Sequence, residues 1–203
     1  MRAAVGLSVL ICVLAGCGDL TTAPKRKAPV KSASTVTAPT AVNLDPRRFG
    51  GSANFITNPS FEHGLSPWVA GTANTVLQLS NAEHKDGTTS ARVTTGVPAA
   101  YGIQLGNIVA LPAVGDRFEF TIWARSADRP KRLTITLVAY LRRGAEVVAR
   151  ASPTIGTSWK QLKVGGVVHG RLADSISASL TVANTISAGD AFFVDGAFFG
   201  IAP

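Results

Sequence analysis

The feature that most constrains this chain is a sustained period-two alternation. In "DRFEFTIWARS" the apolar Phe118, Phe120 and Ile122 alternate with Glu119, Thr121 and Trp123; in "RLTITLVAY", Leu133, Ile135 and Leu137 alternate with Thr134, Thr136 and Val138. Successive side chains of a strand point to opposite faces, so such runs bury one face and leave the other to solvent. Similar runs occur at "TVLQLS", "TSARVTT", "YGIQLGNIVAL", "AEVVARA", "SWKQLKV", "SISASLTVAN" and "DAFFVDGAFFG", separated by turns such as "PAVGD" and "KDG". No stretch of ten or more residues combines a helical period with caps. About eight to ten short strands at this spacing, in the single body formed by residues 54–203, predict an all-β fold, an antiparallel β-sandwich. A domain of this length buries roughly 68 to 70% of its unfolded surface, enough for one core.

The first fifty or so residues have another character. "MRAAVGLSVLICVLAGC" carries one charge, Arg2, and then an apolar run from Ala3 to Leu14, as a secretory signal does. The run is shorter than the roughly 20 residues a spanning helix needs. It ends in "LAGC", which resembles the bacterial lipobox; that resemblance implies removal of residues 1–16 and lipidation of Cys17. The alternative is an ordinary signal peptide with a chance cysteine. With Cys12 cleaved away and Cys17 acylated, the body keeps no thiol for a disulfide, a nucleophile or a zinc site. Residues 17–53 include "TTAPKRKAPVKSASTVTAPT", too poor in large apolar groups to fold, and read as a disordered linker spanning roughly 30 to 35 Å. Acyl chains would hold the protein on a membrane without spanning it. The expected location is the cell envelope, and Gly18 in place of an acidic residue after Cys17 points to the outer membrane in a diderm host.

Charge is unevenly spread. The linker sets Lys25, Arg26, Lys27, Lys31, Arg47 and Arg48 against Asp19 and Asp45. Within the body, residues 125–150 carry Arg125, Arg129, Lys131, Arg132, Arg142, Arg143 and Arg150 against only Asp128 and Glu146. Such a region favours an anionic partner, for example an acidic polysaccharide; the alternative is ordinary solvated charge that discourages edge pairing. No nucleic-acid motif is present, and nucleic acid is not an expected partner.

Several landmarks recur in a familiar order. "NFITNPSFEHGLSPW" at the first strand, "HKDGTTSARV" about twenty residues on, "VGDRFEFTIWARS", "TSWKQLKV" and "DAFFVDGAFF" resemble those of jelly-roll carbohydrate-binding modules of families 4, 9 and 22, galactose-binding-like β-sandwiches. The resemblance covers nearly the whole body and implies a non-catalytic polysaccharide- or glycan-binding domain. It also implies a structural calcium ion where the first loop meets the last strand, held by Glu62, by backbone carbonyls at the turn of Lys85 and Asp86, and by Asp195. Calcium takes six to eight oxygens, and a carboxylate within the apolar "FFVDGAFF" needs a partner. The alternative is that backbone amides or Arg92 satisfy Glu62 and Asp195. Trp68 and Trp159 coincide with landmarks that in the resembled family are packing residues.

A sugar site needs a flat apolar face for a pyranose ring and a few polar groups for its hydroxyls. The alternation turns Trp123 away from the core-facing Phe118, Phe120 and Ile122, and places Tyr140 on the outward set of the next strand. The two are expected to share one surface, with Gln104 and Arg125 as ligand-binding neighbours and Glu119, Thr121, Thr134 and Thr136 nearby. The competing expectation is that a loop covers Trp123. Catalytic motifs are missing: there is no G-x-S-x-G or H-E-x-x-H, and His63, His84 and His169 stand apart. No enzyme is expected. A structural or protein-interaction sandwich without a sugar site is the other reading of the same body.

Overall fold

A computed structural model describes residues 53–105, 108, 113–170, 173–183 and 187–202. The signal, Cys17 and all but the last residue of the linker lie outside the described residues. Among the described residues there is no helix. Twelve strands follow in order: β1 Trp68–Ala70, β2 Thr75–Ser80, β3 Ser90–Thr95, β4 Tyr101–Leu105, β5 Arg117–Ser126, β6 Lys131–Arg132, β7 Thr134–Leu141, β8 Gly144–Ala151, β9 Thr154–Ile155, β10 Lys160–Val167, β11 Ala173–Val182 and β12 Ala191–Ile201. Ten of them form two five-stranded antiparallel sheets: sheet A, in the order β1-β4-β11-β7-β8, and sheet B, in the order β10-β5-β12-β3-β2. β6 and β9 make a small ribbon beside them.

The alternation read from the sequence decides what each sheet contributes to the core. Phe118, Phe120, Ile122 and Ala124 of β5 and Phe192, Val194 and Phe199 of β12 face inward from sheet B; Ile135, Leu137 and Ala139 of β7 and Ile176, Ala178 and Leu180 of β11 face inward from sheet A. Each buried aromatic or aliphatic side chain contributes about 1.5 to 3 kcal/mol. Phe118 and Phe199 stack at 5.6 Å, and Trp68 reaches across from sheet A to within 6.5 Å of the Phe120 ring. Trp68 is therefore the packing residue that was expected, its indole Nε1 donating to the Asn58 carbonyl at 3.3 Å. Trp159 is only half-buried, just before β10.

The stretch Asn58–Pro67 that leads into β1 is a loop. Asn58 folds it by donating to the carbonyls of Gly64 at 2.7 Å and Ser66 at 3.0 Å and accepting from the His63 amide at 3.3 Å. Just before it, the chain is tied to β12: the Phe55 amide donates to the Phe199 carbonyl at 2.7 Å, Asn54 donates to the Ala197 carbonyl at 2.9 Å, and the Phe199 amide donates to Asn54 at 3.0 Å. The first described residues and the last strand thus meet at a seam. Phe61 adopts a φ of 62°, unusual for a bulky residue, yet its ring is wholly buried 5.3 Å from Trp68. Packing on that ring turns the next residue, Glu62, away from the core.

One end of the sandwich closes on a buried ionic cluster. Lys131 donates to Asp190 at 2.5 Å and to Asp128 at 2.6 Å, and the Tyr101 hydroxyl donates to Asp190 at 2.9 Å. Burial, then the neighbouring Asp190, pushes the Tyr101 hydroxyl well above its usual pKa, and the Lys131 hydrogen bond holds Asp128 below the carboxylate range. One of the seven basic residues of the 125–150 region is therefore buried and structural.

Candidate functional site

β5 and β7 lie close together in the sequence but in different sheets, because the chain crosses from sheet B to sheet A between them. This corrects the expectation of a shared surface. Trp123 and Arg125 belong to the outward face of sheet B, whereas Tyr140 and Gln104 belong to the outward face of sheet A, on the other side of the core. Between them the chain passes through β6, which pairs with β9 in the small ribbon.

The outward face of sheet B is covered in part, around Trp123, Arg125 and Asp195, by the loop at residues 81–89 that follows β2. The Lys85 ammonium sits 4.5 Å from the centroid of the Trp123 ring, Glu83 pairs with Arg125, and the amides of Lys85 and Asp86 donate to Asp195 at 2.6 and 2.8 Å. Asp195 is wholly buried and also accepts from the Gly196 amide at 2.7 Å. A β-bulge between Asp195 and Phe198, opened by Gly196 at φ 53°, brings this part of β12 against the Trp123 ring. Burial pushes the Asp195 carboxyl up despite these three donors.

Glu62 holds the far end of the same loop. Its carboxylate accepts from the Thr88 amide at 2.9 Å, the Thr89 amide at 2.8 Å and the Thr88 hydroxyl at 2.8 Å, so its pKa lies below the ordinary value. Gly87, at φ 66°, is where the loop passes the carboxylate; a Cβ there would lie 2.5 Å from Oε1.

These contacts bear on calcium. Glu62, Lys85 and Asp195 do converge on one seam, but N–H and O–H donors fill it: at Lys85 and Asp86 the amides face the carboxylate where a calcium shell would present carbonyl oxygens. Among the described residues no three His, Cys, Asp or Glu side chains gather as a metal site. As arranged, the seam does not form the shell of six to eight oxygens that calcium takes.

The outward face of sheet A is different. Its registers place Val69, Gln104, Ser179, Thr136 and Arg150 in one row across five strands, with Ser177, Val138 and Val147 in a neighbouring row and Ser175, Tyr140 and Ala145 in a third. Thr136 and Ser177 point outward yet are only 8% and 3% exposed, whereas Tyr140, Val147 and Arg150 around them are exposed. The result is a floor of hydroxyls and one amide beside an exposed tyrosine ring. Chemically it offers donors and acceptors for hydroxyl groups and one flat apolar surface.

Two features of this face escaped the sequence reading. The serines of β11 were legible, since "SISASLTV" alternates Ser175, Ser177 and Ser179 with Ile176, Ala178 and Leu180. Arg150 was hidden by a bulge, discussed below. The three histidines lie exposed in loops, with the His169 amide donating to Glu146 at 3.1 Å, and among the described residues none belongs to a group of three or more metal-ligating side chains.

Comparison with solved structures places this architecture among carbohydrate-binding β-sandwiches. The CBM22-1 xylan-binding domain from Paenibacillus barcinonensis Xyn10C superposes with a TM-score of 0.60 at 16% identity, over 75% of this chain and 96% of that one. The structure of TmCBM61 in complex with β-1,4-galactotriose gives 0.53 at 17% identity, over 74% and 99%, and Family 16 Carbohydrate Binding Module-2 gives 0.55 at 13%, over 72% and 99%. At these identities the likeness is one of fold. No curated protein matches the chain in sequence. The family model of the carbohydrate-binding domain CBM_4_9 matches residues 53–165, and the chain belongs to that family.

Proposed function

We propose that the protein is a non-catalytic glycan-binding lipoprotein, in which the outward face of sheet A contacts polysaccharide and the linker carries that face away from a membrane to which lipid on Cys17 anchors it. The observation that carries the reading is the row from Gln104 through Ser179 to Thr136, on the same outward face as exposed Tyr140. One pyranose of a chain stacks its C–H face on tyrosine, while the hydroxyls of the row and the Gln104 amide take the hydroxyl groups of other units further along the chain. Membership of a carbohydrate-binding family supports the ligand class; the "LAGC" sequence supports the anchor and a place in the cell envelope, on its outer membrane.

A glycan array and insoluble-polysaccharide pull-down with residues 53–203 test the binding. Retention by at least one polymer, lost in Tyr140→Ala, is the expected result; a wild-type domain retained by none overturns the reading. Labelling with radioactive palmitate that Cys17→Ser abolishes is the corresponding result for the anchor.

A further inference from the structure

Ionic pairing differs sharply among the basic residues. Arg125 is paired with Glu83, Lys131 with Asp190 and Asp128, Arg129 stands 3.6 Å from Asp190, and Lys163 is 2.7 Å from Glu119. Arg150 has no such partner. It is exposed, lies directly opposite Thr136 in the Gln104–Ser179–Thr136 row, and every other side chain in the rows of that face is uncharged. The nearest acid on these strands by position is Glu146, four residues from Arg150 along β8, about 14 Å at the strand rise of about 3.4 Å. It lies opposite inward-facing Ala139, and its carboxylate accepts from the amides of His169 at 3.1 Å and Gly170 at 2.7 Å. The face therefore sets one free guanidinium above a neutral, hydroxyl-rich floor.

We infer that Arg150 makes this face select glycans that carry a carboxylate, uronic-acid polysaccharides, an inference that rests on the glycan reading above and narrows it. A guanidinium presents parallel N–H donors that match a carboxylate's two oxygens, a geometry an ammonium lacks. Tyr140 lies four residues along β7 from Thr136, so ring and guanidinium are separated by about 14 Å along and across the strands. That distance suits several sugar units of one chain, with one ring stacked on the tyrosine and the acid group of another at Arg150. Arg142 and Arg143, at the β7–β8 turn, are also exposed, and they supply the control for charge without register.

The test measures affinity for polygalacturonate, alginate and hyaluronate, each against its methyl-esterified form, with dextran sulfate as a polyanion lacking carboxylates. The wild-type domain is expected to prefer at least one acid polymer over its ester by about tenfold, the scale of a charged bidentate contact. Arg150→Gln should bring the acid form down to the ester's affinity, Arg150→Lys should restore only part of the preference, and Arg142→Gln/Arg143→Gln should keep it. A preference that survives Arg150→Gln, or that vanishes in the Arg142/Arg143 variant, overturns the inference. So does tighter binding of dextran sulfate than of any carboxylate polymer. Equal binding of acid and ester, or binding of neutral glycans alone, overturns the Arg150 role and leaves the glycan reading standing. Binding of nothing overturns both.

Discussion

On sheet B several outward charges are matched: Arg125 meets Glu83, Lys163 meets Glu119, and the amides at 85 and 86 of a crossing loop close on Asp195. On sheet A the outward side chains are serines, threonines, a glutamine and a tyrosine, with a single unpaired arginine. Both faces come from the same alternation of strands packed on one core, so fold alone does not distinguish them. The difference lies in the side chains opposite each other. Paired charges and a stacked lysine leave sheet B's face little with which to recognise a ligand, whereas neutral hydrogen-bonding groups on sheet A remain free for one. On the reading proposed above, one face of this sandwich holds its own loop and the other is left for contact.

The largest expected effect comes from releasing that loop. Asp195→Ala orphans three backbone amides inside the seam, each worth about 1 kcal/mol or more, and is expected to cost about 3 kcal/mol, a fall in Tm of roughly 6 to 12 °C for a domain of this size. Urea unfolding measures it. Glycan affinity of the folded fraction should stay within twofold of wild type, because the seam and sheet A's outward face lie on opposite sides of the core. A stability loss below about 1 kcal/mol would mean that the loop is not held by this carboxylate.

Next come the two aromatics that the sequence placed together. Tyr140→Ala removes a ring that is 38% exposed, so Tm should move little while glycan affinity falls about tenfold, equivalent to about 1.4 kcal/mol. Trp123→Ala should behave the opposite way. Loss of the ring beneath Lys85 removes a cation–π contact of about 0.5 to 1 kcal/mol together with partial burial, and glycan affinity should not change. If Trp123→Ala weakens binding and Tyr140→Ala does not, the assignment of the two faces is reversed.

How much of this was legible in the sequence depends on the range of the interaction that decides it. Alternation is local, so "RFEFTIWARS" and "TITLVAYL" gave strands, their buried sides and the outward placement of Trp123 and Tyr140 correctly. Trp68 packs as the family landmarks imply. Sheet membership is not local: nothing in residues 126–134 says that the chain leaves one sheet for the other. Arg150 shows a subtler limit. Strict alternation from Val147 puts residue 150 on the opposite side, but the register shifts between Val147 and Ala149, leaving Val148 unopposed, and Val147 and Arg150 then share the outward face. The contacts of the 81–89 loop were likewise unreadable, since its amides find partners some 26 to 110 residues away.

Glu62 provides the smallest effect and the sharpest test of what holds the loop. Its folded-state pKa is depressed, first by the Thr88 hydroxyl and amide, so its contribution is present above the unfolded pKa and is lost as pH falls through the folded one. Asp195 has the opposite sign: burial raises its pKa, so its protonation favours the folded state as pH falls. Raw acid titration mixes the two, and the difference between wild type and Glu62→Gln isolates the first. That difference in stability is expected to hold steady from neutral pH down to about 4.3, the ordinary glutamate value, and to close below it, with a change in Tm smaller than that of Asp195→Ala. A difference that persists unchanged to pH 2, or widens on acidification, would show that Glu62 does not act through its carboxylate charge. Because amides and a hydroxyl fill the seam, EDTA should leave both curves superimposed on those taken without it. A fall in Tm on chelation, reversed by calcium, would mean that the carboxylates share a cation and that the amides at 85 and 86 turn away to admit carbonyl oxygens.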